Sequence, residues 1–113
     1  MVLYAAADLL WATRIKSTAE AMGVAARPAR TVEMLRARLA DSPVRLLIVD
    51  LEAPGAIELI EASKDVVRVV AFGPHVGVEA LAQAREAGAG LVLTRGAFDK
   101  GLVKLLREES YPS

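Results

Sequence analysis

Arg45-Leu46-Leu47-Ile48-Val49-Asp50-Leu51-Glu52-Ala53-Pro54 is the stretch whose reading decides the fold. Its aliphatic run, Leu46 to Val49, is too short for a helix and is closed by an acid and a proline, so it predicts a strand buried on both faces. A strand of that kind belongs inside a parallel sheet covered by helices on both sides. Asp50 then stands at the strand's carboxyl end, the edge of an open parallel sheet where loops part and ligands gather.

Working upstream, Thr31 opens a predicted helix in which Val32, Leu35 and Leu39 share a face. Val24 to Arg27 predicts a short strand, ended by Pro28, which has no N–H to give to a ladder. Leu9 to Met22 predicts a helix with Leu10, Ile15, Ala19 and Met22 near one inward stripe and Gly23 as its stop. Ahead of it lie Asp8, placed to cap that helix, and the apolar run Val2 to Ala6, read as the first strand. Downstream, Pro54-Gly55 leads into a helix holding Ile57, Leu59 and Ile60. Val66 to Phe72 is the fourth strand, broken by Gly73-Pro74. Val76 to Ala87 is helical with Leu81 and Ala84 inward, and Gly88 caps it. Leu91 to Thr94 is the fifth strand and Phe98 to Arg107 the last helix, followed by a polar, frayed tail from Glu108 to Ser113.

Five successive strand-then-helix units demand parallel pairing, since each crossover is too long for a hairpin. Right-handed crossovers then give an α/β fold of three layers: a doubly wound, five-stranded parallel sheet of order 2-1-3-4-5. The chain of 113 residues is read as a single domain, 1–113.

Composition removes whole classes of chemistry. There is no cysteine, hence no disulfide and no thiolate metal site, and the single histidine, His75, cannot form a histidine cluster. Fourteen basic and fourteen acidic residues cancel, so no net field draws the domain onto nucleic acid or a membrane surface. No apolar run approaches the roughly 18 residues of a spanning helix. Met1-Val2-Leu3-Tyr4-Ala5 has no basic residue before its apolar side chains, which does not suit a secretory signal, and the expected location is the cytoplasm. No nucleophile elbow, phosphate-binding loop or dinucleotide fingerprint is present.

Three anchors give the chain a family resemblance that covers nearly all of it. Asp50 with Pro54 four residues on, the run Gly88-Ala89-Gly90-Leu91-Val92-Leu93-Thr94-Arg95, and Gly73 at the end of the fourth strand together resemble the receiver domain of bacterial response regulators, the CheY-like family. The resemblance implies a flavodoxin-like fold and a role in signal transduction, with Asp50 at the phosphoacceptor position. It also exposes departures. Where receivers carry an acidic pair that holds magnesium, this chain has Ala6 and Ala7, with Asp8 beyond them. Gly73 replaces a serine or threonine, Arg95 an invariant lysine, and Val92 the aromatic that moves on activation. Magnesium leans on carboxylate oxygens, so its binding is expected to be weak or absent, and no other cofactor is implied. Arginine and lysine are not equivalent at close quarters. The resemblance is therefore to a degenerate receiver, or pseudo-receiver.

The site residues carry alternative readings. Asp50 is a phosphoacceptor or ligand anchor, or else an inherited acid paired with Arg95. Asp8 is a remnant metal ligand or a helix cap. Gly73 and His75 sit in the loop after the fourth strand, on the same crevice, or His75 is simply exposed. Arg95 clamps an anion or neutralises the nearby acids. Trp11 is a partner contact or core packing. The expected function is a non-enzymatic, phosphorylation-independent signalling and protein-interaction module. The alternatives are a small-ligand or anion sensor built from Asp8, Asp50, His75 and Arg95, and a true phosphoacceptor at Asp50. Its protein partners are not named by the sequence. A homodimer through helical faces is expected from the neutral, alanine-rich surface.

Overall fold

The structure, a computed structural model, describes the backbone over residues 1–110 and side chains over residues 1–108. Strand and helix alternate throughout: β1 (Val2–Ala5), α1 (Leu9–Ala21), β2 (Ala26–Pro28), α2 (Val32–Asp41), β3 (Leu46–Asp50), α3 (Ala56–Ser63), β4 (Arg68–Gly73), α4 (Val78–Ala87), β5 (Leu91–Thr94) and α5 (Arg95–Ser110). All pairings are parallel, and the sheet runs β2-β1-β3-β4-β5. The doubly wound order expected from the sequence is the order observed.

Side-chain alternation along the central strands divides the core in two. Leu3, Ala5, Leu47, Val49, Val69 and Ala71 face α2, α3 and α4, meeting Leu35, Leu59, Ile60 and Ala84. Val2, Tyr4, Leu46, Ile48, Val70 and Phe72 face α1 and α5, meeting Ile15, Ala19, Phe98 and Leu102. Every residue of β3 is buried, as a strand covered on both faces must be.

Several local expectations are corrected. Leu10, placed on the inward stripe of α1, is 72% exposed. The stripe is instead Trp11, Ile15 and Ala19, spaced one helical turn apart, and Trp11 is drawn inward by Phe72 and Phe98, whose ring centroids lie 5.1 and 5.8 Å away. Pro28 does not end β2; it is part of it. The ladder explains why: Val2 N–H donates to the Ala25 carbonyl and Ala29 N–H to the Tyr4 carbonyl, each at 2.9 Å, so alternate residues face β1 and Pro28 turns outward. There its carbonyl accepts from Arg38 Nε at 3.4 Å. The third correction is at β4, which starts at Arg68 and includes Gly73, leaving Val66 65% exposed. Finally, α5 begins at Arg95 rather than Phe98, because Thr94 Oγ1 accepts from Ala97 N–H at 3.2 Å and caps it. The same helix runs on through Ser110, beyond the frayed start expected at Glu108; residues 111–113 of that tail lie outside the described residues.

Candidate functional site

The carboxyl ends of β1, β3 and β4 bring the candidate residues to one edge of the sheet, and the geometry there sorts them. Asp50 is wholly buried. One carboxylate oxygen, Oδ2, accepts from the Ala7 backbone N–H at 2.9 Å, and the other, Oδ1, accepts from the Glu52 N–H at 3.0 Å. A buried carboxylate needs such donors, and here each oxygen has one. Asp50 thereby ties the β1–α1 loop to the turn after β3.

Arg95 does not pair with Asp50. Its Nη2 lies 3.0 Å from Glu52 Oε1, while its Nε is enclosed without a hydrogen-bond partner. The reason is directional: Asp50 points inward to backbone amides, and Glu52, two residues on, leaves the sheet on the exposed side where a long guanidinium can meet it. Glu52 carried no signal in the sequence beyond its charge.

Asp8 is the N-cap of α1, its Oδ1 accepting from Trp11 N–H at 3.0 Å. Gly73 is buried, and a Cβ built there would meet Leu51 Cβ at 3.4 Å and Leu81 Cδ2 at 3.8 Å. The place where the resemblance puts a hydroxyl is therefore walled by aliphatic carbon. His75 is exposed on the turn between β4 and α4. Val92 is half-buried in β5, against the half of the core that faces α2, α3 and α4. Trp11 is half-buried and closes an aromatic cluster in which Phe72 and Phe98 stack with centroids 4.1 Å apart.

Where the resemblance calls for two acids, Ala6 and Ala7 present methyl groups. Among the described residues no group of three or more histidine, aspartate or glutamate side chains is placed to hold a metal ion. A cleft of about 410 Å³ opens there instead, lined by Ala5, Ala6, Ala7, Asp8, Leu9, Ala12, Arg30, Ala53 and Pro54. Of the residues expected to share one crevice, only Asp8 reaches it. Arg30, the residue before the Thr31 cap of α2, was not singled out by sequence; the run Ala5-Ala6-Ala7 was the one sign that this end of the sheet is apolar.

The strand order and the layering are those of the CheY-like, flavodoxin-type fold. No family model matches the chain, and no curated protein matches it. Among solved structures, the chain is similar to a CheY-like response regulator receiver domain protein from Methanospirillum hungatei, with TM-score 0.76, 19% identity and coverage of 96% of this chain and 90% of that one. A response regulator from Thermotoga maritima aligns with TM-score 0.74 and 16% identity over 95% of this chain and 93% of its own. The receiver domain of Francisella response regulator 1452 aligns with TM-score 0.74 and 18% identity over 97% and 98%. At such identities the likeness is one of fold.

Proposed function

We propose that this chain acts as an atypical response-regulator receiver-like domain, a non-enzymatic signalling module that contacts partner proteins without a phosphorylation switch. The observation that carries the reading is the state of Asp50: fully buried, with each carboxylate oxygen already accepting from a backbone amide. Phosphoryl transfer to a carboxylate needs an accessible acceptor, a metal to offset charge, and donors for three phosphoryl oxygens. Ala6 and Ala7 offer no carboxylate, Gly73 no hydroxyl, and Arg95 is engaged by Glu52. Weak or absent magnesium binding belongs to the same reading.

In place of charged chemistry the edge carries exposed aliphatic side chains: Leu9 at 80%, Leu10 at 72%, Val76 at 75% and Val78 at 69%. Apolar surface gathered around one end suits protein contact. Balanced charge favours a protein over nucleic acid or a membrane as partner. Among the described residues no helix is long and apolar enough to cross a membrane, and a cytoplasmic setting is part of the proposal.

The test is incubation with a small phosphodonor and magnesium followed by intact mass measurement. No phosphoryl adduct that Asp50→Asn abolishes is expected; stoichiometric modification at the pace of an ordinary receiver would overturn the reading. A second expected result concerns self-association. All four residues of the edge strand β5 are half-buried, and Val103 on α5 is 44% exposed, so a homodimer through β5 and α5 is expected. Sedimentation equilibrium should then show mass rising with concentration, and a monomer throughout would dismiss it.

A further inference from the structure

The cleft left by the missing acids does not end at Arg30. A second cavity of about 460 Å³ adjoins it, sharing Leu9, Ala12 and Arg30 and extending along α1 to the β2 edge. The two ends differ in chemistry. The first is floored by alanine methyls and Pro54, overhung by Leu9, which is 80% exposed. The second is ringed by Lys16, Arg27 and Arg30, all exposed, and among the described residues no acid forms an ion pair with any of them. Asp8, the one acid lining the continuous groove, stands at the far, apolar end and is occupied in capping α1.

We infer that this groove binds a small organic anion with an aliphatic body, its carboxylate or phosphate held by Arg30 with Arg27 and Lys16, and its hydrocarbon laid over the Ala6–Ala7–Ala12 floor. The volume of each cavity falls in the range of small-molecule sites, roughly 300–1,000 Å³. A guanidinium at the junction suits either head group, since its forked donors match both carboxylate and phosphate oxygens. The first cavity holds no aromatic ring, so a planar base would find nothing to stack on, whereas methylene groups gain by covering alanine and leucine carbon. Asp8 would repel an anion placed at the alanine end, which fixes the polarity of binding. The same substitutions that remove a magnesium site thus create an apolar seat. The inference is independent of whether Asp50 accepts a phosphoryl group.

The experiment is amide chemical-shift mapping on the intact chain with octanoate and octyl phosphate below their micellar concentrations, beside inorganic phosphate and adenosine monophosphate. Saturable shifts are expected at Ala6, Ala7, Leu9, Ala12, Arg30 and Ala53 with one or both octyl ligands, and the stronger of the two identifies the head group. Arg30→Gln should weaken binding roughly tenfold or more, the scale of a hydrogen bond to a charged group. Ala12→Leu, which fills both cavities from a half-exposed helical position, should abolish binding while the rest of the spectrum stays unchanged. Inorganic phosphate binding as tightly as octyl phosphate would remove the role of the apolar floor, and tighter binding of the nucleotide would overturn the aliphatic assignment. Absence of saturable shifts, or shifts insensitive to both substitutions, would dismiss the site.

Discussion

Phe98→Ala is expected to destabilise the protein by about 3–5 kcal/mol, the cost of truncating a fully buried phenylalanine whose surroundings cannot close over the gap. Phe98 is 0% exposed at the start of α5, and its ring lies 4.1 Å from that of Phe72 with the planes 5° apart. Trp11 meets it edge-on at 5.8 Å and 60°. Removing the ring therefore strips contacts from β4 and α1 together, beyond the area it buries. The control is Leu10→Ala, on the same α1 but 72% exposed, which should stay within about 0.5 kcal/mol of the parent. Urea denaturation followed by far-UV circular dichroism measures both. Equal costs for the two would mean that α1 and α5 do not meet through this cluster.

Asp50→Asn is expected to cost about 1–3 kcal/mol, because it sets a side-chain N–H donor, at a wholly buried position, against a part-buried backbone N–H and satisfies neither. An asparagine side chain has one acceptor oxygen and one donor nitrogen, so it can answer the Ala7 amide or the Glu52 amide but not both. The orphaned amide should reveal itself in faster hydrogen exchange at Ala7 or Glu52. A neutral substitution with unchanged exchange would show that Asp50 is not a structural brace, and would restore it as a candidate for chemistry.

The β3 run and the parallel order were legible because they rest on local signals: an aliphatic stretch closed by Asp50, caps at Asp8 and Thr31, and crossovers of helical length. The failures are those of non-local information. Leu10 and Trp11 are adjacent apolar residues at the start of one helix, and periodicity alone allows either to point inward; Phe72 and Phe98, far along the chain, decide in favour of Trp11. Pro28 was read by its missing donor, but which way that nitrogen points depends on being second from the end of an edge strand's ladder. The site repeats the pattern. The position of Asp50 at the sheet's edge followed from the strand, yet its partners are backbone amides, which no side-chain spacing encodes. Arg95 was expected to pair with Asp50 and instead meets Glu52, since the turn after β3 sends acids two residues apart in different directions.

Pro28 also limits what the β2 edge can offer to another strand. A parallel sheet has two open edges, and a molecule able to join its neighbours at both could grow without limit. At the β2 edge the outward nitrogen of Pro28 carries no hydrogen and its outward carbonyl is taken by Arg38, so an incoming strand finds no partner at the carboxyl end of that margin. What β2 still offers outward is Ala26 alone, whereas β5 is a four-residue edge strand. A proline in a three-residue strand therefore leaves this sheet with two unequal margins, the shorter of them able to offer a joining strand one residue's hydrogen bonds.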